Sequence, residues 1–282
     1  MKKSWYLNSY NKKKDGKNLI NKLLAERGVS SQKERKIYLD SDLEYLSDPY
    51  LLPEMDQAVS RIKRAVKSKE RILVYGDYDV DGITSTALLY HFFKNNYGIE
   101  IDYFLPDRIE DGYGLNKKSL KKIKEKNIDL IITVDCGITA VEEAEYLKEL
   151  EIDLIITDHH TPGDKLPAAE AVINHHLVED NNYFAAEIAG VGTAFKLAQA
   201  LNDSYLGQKL LDLLPLAALG TVADIAPLKD ENRIIVKNGL EKIRENKNLG
   251  LSILIEKLKI DKTEVSAGQI AFIIAPPLNA AG

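Results

Sequence analysis

The sequence has very little cysteine: Cys136 is the single one among 282 residues, so no disulfide can form within the chain. Scarce cysteine is typical of a reducing compartment, and we expect a cytoplasmic protein. Long apolar runs are also lacking. Residues 210–228 come nearest, and Asp212, Pro215 and Asp224 interrupt them. No apolar segment follows the lysine-containing N-terminus, so the sequence predicts neither a membrane span nor a secretory signal.

An excess of basic residues is absent too, with 38 Lys and Arg against 43 Asp and Glu and a formal net charge of −5. This balance excludes a protein that coats nucleic acid through bulk positive charge. It is compatible with a nucleic-acid enzyme that has an acidic centre and local basic contacts. The length suffices for one large or two small domains with a substantial core.

The pattern from residue 71 onward alternates short apolar strands with helices. Strands are predicted at 72–75, 101–105, 130–134, 154–157 and 171–173. Helices are predicted at 55–69, 84–95, 117–126, 140–150, 189–201, 210–222, 232–244 and 249–258. This alternation indicates an α/β fold with a parallel sheet of about five strands and helices on both faces.

Three segments are expected along the chain. Residues 1–55 read as an arm that packs on the core, with short helices at 18–27 and 32–38 and Ser30 or Ser31 as the cap of the second. Residues 56–245 read as the main domain, and 246–282 as a helical connector. Because the chain stops without a polar tail, we expect an N-terminal fragment whose second domain is missing.

The first predicted strand, 72–75, leads into an acidic cluster. Asp77, Asp79 and Asp81 alternate, and an extended backbone would point their carboxylates the same way. Three like charges this close repel unless a cation lies among them. An EF-hand is excluded, because Leu88 occupies the place of the bidentate Glu and a strand precedes the loop.

Polar side chains also follow three other apolar segments. Asp135 follows strand 130–134, Asp158-His159-His160 follows strand 154–157, and Asp224 ends an apolar helix. The ends of parallel strands meet at one edge of a sheet, so these groups can share a site with the first cluster. Asp224 joins them only if its helix packs over that edge.

Carboxylates combined with imidazole favour Mn²⁺, Zn²⁺ or Fe²⁺ over Ca²⁺. Four or more carboxylates are too many for one ion, whereas two divalent ions about 3.5–4 Å apart, sharing a bridging carboxylate, would balance the charge. Such pairs serve in-line attack on phosphoryl groups and lower the pKa of water to near neutrality.

Other motifs keep two interpretations. The basic faces of helices 55–69 and 117–126 read as solvated surfaces, with nucleic-acid contact as the alternative. In loop 107–116, Arg108 is a candidate phosphate contact and Tyr113 a candidate stacking residue, or both anchor the loop.

Three further features are weaker. His175-His176 is interpreted as a packed or surface pair, with a role in the site as the alternative. Cys136 would be a soft ligand in a hard site and reads as core packing. Gly190-Val191-Gly192 lacks the context of a dinucleotide site.

Four blocks, in this order, resemble the DHH phosphoesterase family: GDYDVDG at 76–82, VDCG at 134–137, DHH at 158–160 and VADIAP at 222–227. Within that family the chain is most similar to 5′-to-3′ exonucleases specific for single-stranded DNA. The additional matches are a segment before the first motif, the DGYGLN loop, the AGVGTAFKL helix and the terminal PPLNAAG. Pro277 stands where those exonucleases often have arginine.

The resemblance implies two divalent ions, most readily Mn²⁺ with Mg²⁺ as the alternative. Their ligands would be Asp77, Asp79, Asp81, Asp135, His159 and Asp224. Asp79 and Asp81 would each bind one ion, with Asp77 supporting the first. Asp135 would bridge both and count among the catalytic residues, and the remaining two would complete the second site.

The resemblance also implies roles outside the ligand set. His160 would contact the scissile phosphate, and Asp158 would orient a histidine. Arg108, Tyr113 and Asn279 would bind substrate.

The function implied is hydrolysis of single-stranded DNA from the 5′ end to 5′-mononucleotides, in DNA repair and recombination. A single-strand-binding protein and a DNA helicase are the implied partners, and no membrane is involved. One alternative is a relative that hydrolyses short oligonucleotides, cyclic dinucleotides or pyrophosphate. The other is a non-enzymatic replication scaffold, which would have lost metal ligands that are present here.

Overall fold

The computed structural model describes residues 16–179, 187–204, 206–245 and 248–281. The chain divides into two units, one up to Asp40 and one from Ser41. The first contains α1 (Gly16–Glu26) and α2 (Gln32–Asp40). Ser31 caps α2, since its hydroxyl accepts the Glu34 N–H at 3.1 Å and the Glu34 carboxylate accepts the Ser31 N–H at 2.9 Å. The predicted arm and the boundaries at 55 and 245 stay predictions.

The second unit is built on a five-stranded parallel sheet in the order β2-β1-β3-β4-β5. The strands are β1 (Ile72–Tyr75), β2 (Asp102–Phe104), β3 (Leu130–Val134), β4 (Asp153–Thr157) and β5 (Ala171–Ile173). The predicted fold is therefore confirmed in strand number and direction, with strand ends differing by one residue at most.

Helices cover both faces of the sheet. The helices of this half are α3 (Met55–Ser68), α4 (Val80–Tyr97), α5 (Lys117–Lys124), α6 (Val141–Glu149) and α7 (Gly190–Leu201). α4 and α7 pack against β1 and β3 on one face. On the other face, Leu120 of α5 and Leu147 of α6 share a core with Leu73 and Ile131. Strands buried on both sides explain the continuous apolar runs in the sequence.

The C-terminal part is helical. Its helices are α8 (Gln208–Leu211), α9 (Leu214–Ala223), α10 (Asp230–Arg244), α11 (Leu249–Lys257), α12 (Ala267–Gln269), a π-helix (Ile270–Ile274) and α13 (Ala275–Ala281). The prediction of a single helix at 210–222 is wrong, because α8 ends at Leu211 and α9 begins at Leu214. Pro215 lies in the first turn of α9, where its missing N–H is tolerated. Within the described ranges, no helix is both long and apolar enough to cross a bilayer.

Arg61 of α3 corrects the interpretation of a fully solvated basic face. Its side chain is 6% exposed and donates to Asp153 at 2.5 Å and to Glu70 at 2.6 Å. These two carboxylates, from β4 and from the loop after α3, compensate the buried guanidinium.

A second buried ion pair joins α7 to α10. The side chains of Lys196 and Glu231 are 0% exposed, and their closest N–O distance is 2.7 Å. The ammonium also donates to the Ser47 carbonyl at 2.8 Å, and the Glu231 carboxylate accepts the Ser47 N–H at 2.5 Å. The pair therefore ties the segment before α3 to the two helices.

Lys196→Met is expected to destabilise the fold by about 3–5 kcal/mol, because it leaves the Glu231 carboxylate buried without its cation. Lys196→Met combined with Glu231→Leu is expected to lie closer to the parent, since it removes both charges. Urea unfolding measures both. A loss below about 1 kcal/mol for the single variant, the range of exposed ion pairs, would contradict this role.

Candidate metal centre

The carboxyl ends of three neighbouring strands bring the polar clusters together. β3 and β4 end immediately before Asp135 and Asp158, and β1 ends two residues before Asp77. All three side chains are buried, at 0–1% exposure. The predicted convergence at one sheet edge is thus what the structure has.

The first acidic cluster is not extended throughout, which corrects the sequence interpretation. α4 begins at Val80, so Asp79 is its N-cap and accepts the Gly82 N–H at 2.9 Å, while Asp81 lies in the first helical turn. Gly82 permits this early start. A Cβ there would lie 2.4 Å from the Asp77 carbonyl oxygen, which a real side chain cannot do.

Asp81 is held by the start of another helix. Its Oδ2 accepts the Gly190 N–H and its Oδ1 accepts the Val191 N–H, both at 2.8 Å. Unpaired N–H groups at a helix N-terminus suit an anion. The helix that carries the apparent G-x-G motif therefore anchors a carboxylate of the cluster.

The candidate ligand atoms form overlapping groups in which all atoms lie within 4.8 Å of one another. These groups are Asp77-Asp79-Asp135, Asp81-His159-Asp224 and Asp135-His159-His160. Asp224 joins because α9 packs on α4, so the end of α9 reaches the sheet edge. All six predicted ligands thus meet in one place.

His159 connects the groups. Its Nε2 lies 3.1 Å from Asp135 Oδ1 and 3.9 Å from Asp81 Oδ2, and its Nδ1 lies 3.9 Å from Asp224 Oδ2. Burial lowers the pKa of His159 to about 4, so the ring is neutral at pH 7. A neutral imidazole is the form that binds a metal.

Four carboxyl groups of the centre resist ionisation, those of Asp77, Asp81, Asp135 and Asp224. Burial, with repulsion from Asp79, raises the pKa of Asp77 and of Asp224 to about 6. Burial, with repulsion from Asp224, raises the pKa of Asp81 well above the usual range. Burial, with repulsion from Asp81, does the same to the pKa of Asp135. The cluster therefore favours protons or a cation.

Asp77 Oδ2 has no hydrogen-bond partner among the described residues, and Asp135 Oδ1 and His159 Nε2 face each other at 3.1 Å without hydrogen-bond geometry. All three are buried, and unsatisfied buried polar atoms are uncommon in folded proteins. Carboxylate oxygens, which make up most of this group, suit Mn²⁺ and Mg²⁺. The residues present fit divalent cations.

His160 stands beside this centre with its ring fixed. Its Nδ1 lies 2.7 Å from Asp158 Oδ1, and its Nε2 lies 3.1 Å from the Tyr113 hydroxyl. The bond to Asp158 raises the pKa of His160. Asp158 thus contacts the histidine ring at Nδ1, which leaves Nε2 facing the Tyr113 hydroxyl.

A cavity of about 530 Å³ opens next to the ligands, within the usual ~300–1,000 Å³ range of ligand sites. Its walls include Tyr78, Arg108, Asp224 and Asn279. The Arg108 guanidinium lies 4.6 Å from the centre of the Tyr78 ring and donates to the Asn279 backbone and side-chain oxygens at 3.2 and 3.3 Å. The predicted substrate contacts Arg108 and Asn279 therefore line this cavity, and Tyr113 contacts His160 beside the ligands.

Three residues near the centre or the core remain to be compared with the sequence predictions: Cys136, His175 and Tyr78. Cys136 is buried in the core, as predicted. Of the histidine pair, His175 is buried with its Nδ1 unpartnered among the described residues, and the two rings lie 4.2 Å apart. Sequence reasoning missed Tyr78, which stands inside the first motif.

Ile225 was also missed. It follows Asp224 and has a φ of 61°, in the left-handed region that β-branched residues avoid, while its side chain is 86% exposed. The residue continues the turn that ends α9, because its N–H donates to the Val222 carbonyl and the next N–H donates to the Thr221 carbonyl. The sequence predicted the helix end at Asp224, and the turn through Ile225 is the way in which the structure makes it.

Mn²⁺ is expected to stabilise the protein strongly at pH 7.5 and weakly at pH 5. Carboxyl pKa values raised to about 6 mean that the folded metal-free protein holds these protons more tightly than the unfolded chain does. The contribution of these carboxyl groups to stability therefore falls as pH rises from about 4 through 6. A cation takes the place of the protons, and free ion at 100 times its Kd adds about 2.7 kcal/mol.

Thermal unfolding with and without Mn²⁺ at the two pH values measures this effect. Asp135→Asn serves as the control and should show a smaller Mn²⁺ dependence than the parent. An equal Mn²⁺ shift in Tm at pH 5 and pH 7.5 would contradict the assignment of these carboxyl groups as ligands.

Comparison with known proteins agrees with this geometry. The model of the DHH family, N-terminal domain, matches residues 71–221. The single-stranded-DNA-specific exonuclease RecJ of Bacillus subtilis is 44% identical over 264 residues, which are 94% of this chain and 33% of that protein. The RecJ of Escherichia coli is 39% identical over 94% of this chain and 47% of its own length. The chain thus spans a third to about half of these relatives.

Solved structures give the same result. The crystal structure of exonuclease RecJ bound to manganese matches 82% of this chain and 57% of its own, with a TM-score of 0.74 and 38% identity. RecJ from Thermus thermophilus in complex with Mg²⁺ matches 92% of this chain and 32% of its own, with a TM-score of 0.63 and 29% identity. By sequence motif, fold and family model, the chain belongs to the DHH family.

Proposed function

We propose that the chain is the catalytic part of a metal-dependent phosphodiesterase that hydrolyses single-stranded DNA from its 5′ end and releases 5′-mononucleotides. The observation that carries the proposal is the pair of ligand groups, Asp77-Asp79-Asp135 and Asp81-His159-Asp224, which lie side by side at one sheet edge. Similarity to single-stranded-DNA-specific exonucleases supports the substrate class. DNA repair and recombination, in the cytoplasm, are the proposed setting.

The six ligands would hold two divalent ions, with Asp135 between them. When bound, such ions neutralise clustered carboxylates, polarise a phosphodiester and lower the pKa of water to near neutrality. Mn²⁺ is the ion that the proposal favours, with Mg²⁺ as the second choice. Ca²⁺ should support less hydrolysis, because it prefers more oxygen ligands and a looser geometry.

His160 would bind the scissile phosphate and stabilise its developing charge. The Asp158 carboxylate occupies Nδ1 and favours the imidazolium, so Nε2–H is the donor that remains. The Tyr113 hydroxyl lies 3.1 Å from that nitrogen. The phosphate oxygen would take this place, and the Tyr113 ring would then be free to stack on a base.

Arg108 would bind a phosphate of the strand in the cavity. Its guanidinium is already oriented by the Tyr78 ring and by Asn279, so less freedom is lost on binding. Arginine suits this task because its planar donors match phosphate oxygens. A single-strand-binding protein and a helicase, which deliver single strands, are the proposed partners.

Digestion of end-labelled DNA tests the proposal. A single strand labelled at either end is incubated with Mn²⁺, beside a duplex and a dinucleotide. The expected result is mononucleotides released from the 5′ end of the single strand, with the duplex intact and Ca²⁺ much less effective. Cleavage of the dinucleotide alone would favour the short-substrate alternative, and no hydrolysis of any substrate with Mn²⁺ bound would contradict the proposal.

A further inference from the structure

Asn174 lies directly after β5, at the same level of the sheet as Asp158. Thr157 of β4 pairs with Ile173 of β5, and the Asp158 N–H donates to the Ile173 carbonyl at 3.1 Å. The Asn174 side chain is 0% exposed. It therefore occupies on β5 the position that the DHH motif occupies on β4.

Both ends of the Asn174 amide are used. Its Nδ2 donates to the His160 carbonyl at 2.9 Å, and its Oδ1 accepts the His176 N–H at 2.8 Å. The second bond caps the short 3₁₀ turn His175–Leu177. The amide thus links the backbone of His160 to a fixed turn after the neighbouring strand.

The backbone on the C-terminal side of His160 requires a contact of this kind to be fixed in position. Asp158 Oδ1 accepts the His160 N–H at 3.1 Å and contacts the ring, which fixes the N-terminal side. Beyond His160 the chain runs without helix or strand through residues 161–170 until β5 begins. A residue at the entrance of an irregular connection is placed accurately only when neighbouring groups hold its backbone.

We propose that Asn174 is a positioning residue that fixes the His160 carbonyl and thereby aims Nε2 of His160 at the scissile phosphate. The proposal rests on the role given to His160 in the proposed function. None of the described hydrogen bonds of the Asn174 side chain reaches the six metal ligands. Asn174 should therefore act on turnover and leave metal affinity unchanged.

Two variants separate the parts of this hold. Asn174→Asp keeps the acceptor for the His176 N–H but replaces the donor by an oxygen that faces the His160 carbonyl. Asn174→Ala removes both bonds and leaves two backbone groups without partners. Displacement of a catalytic group by about 1 Å can lower the rate about 100-fold.

The experiment measures kcat on single-stranded DNA, Mn²⁺ affinity and Tm for both variants. We expect kcat to fall at least about 10-fold in each, with two ions still bound at parental affinity. Asn238→Ala is the matched control, because Asn238 also donates from Nδ2 to two backbone carbonyls, those of Ser41 and Ile234, but away from the centre. It should lower Tm and leave kcat unchanged.

A double-variant cycle tests whether Asn174 acts through His160. In a His160→Ala background, followed under single-turnover conditions, Asn174→Ala should change the rate less than about twofold. A further fall as large as in the parent, a parallel loss of Mn²⁺ affinity, or an unchanged kcat in the single variants would overturn the inference alone. A parent chain that binds Mn²⁺ but hydrolyses no DNA would overturn the proposed function and this inference with it.

Discussion

Asp135→Asn should lower kcat/KM for single-stranded DNA by at least about 100-fold and prevent both ions from binding together. Asp135 belongs to the group with Asp77 and Asp79 and also lies 3.1 Å from His159, so its carboxylate stands between the two proposed ion positions. Asparagine keeps the size of the side chain but places an NH₂ group and no charge there.

The isostere also keeps the backbone. Asp135 has a φ of 60°, a conformation that Asp and Asn tolerate better than most residues, so the substitution should not unfold the loop. Isothermal titration with Mn²⁺ and steady-state kinetics measure the effect. Asp224→Asn is the comparison, because Asp224 belongs to one ligand group only and its loss should spare the other ion. Two ions bound to Asp135→Asn, or activity above a hundredth of the parent, would refute the bridging position.

Gly190→Ala is expected to lower activity about 10–100-fold and to weaken Mn²⁺ binding, although residue 190 itself is no ligand. A Cβ at this position would lie 2.5 Å from Asp135 Oδ1 and 2.8 Å from its Cγ. The same residue donates its N–H to Asp81 at 2.8 Å. The start of α7 therefore lies in close contact with both carboxylates. The methyl group of an alanine at position 190 must displace Asp135 or the helix.

Gly192→Ala, one half-turn further along α7, is the matched control. The three atoms nearest to its Cβ would all belong to the side chain of Ile188. We expect Gly192→Ala to lower Tm while Mn²⁺ affinity is retained, and Gly190→Ala to lose Mn²⁺ affinity whatever happens to Tm. If both variants changed Mn²⁺ affinity equally, a general destabilisation would explain the data better than a contact with Asp135.

Local pattern predicted much of the sheet and the metal centre, because strand ends are marked in the sequence and parallel strands must end at one edge. Asp135 and Asp158 each follow an uninterrupted apolar run, so their meeting point follows from topology alone. The same rule applied to β5 would have indicated Asn174, which also follows a buried strand. In the sequence, the neighbouring His175 and His176 are the more obvious candidates for a site, although Asn174 holds the position at the strand end.

Other features depend on contacts between residues far apart in the chain, which periodicity does not encode. The N–H groups that hold the Asp81 carboxylate come from the N-terminus of α7, 109 and 110 positions further along the chain. Arg61 reads as solvated until Asp153 is found beside it. The Arg108–Asn279 contact spans 171 positions and depends on how the last helix returns to the sheet edge.

The most direct test of the central claim is a crystal structure of the chain grown with Mn²⁺ and recorded at the manganese absorption edge. The account predicts two anomalous peaks, one among Asp77, Asp79 and Asp135 and one among Asp81, His159 and Asp224, with the Asp135 carboxylate touching both. A single peak, or peaks away from these side chains at saturating Mn²⁺, would contradict a two-ion centre.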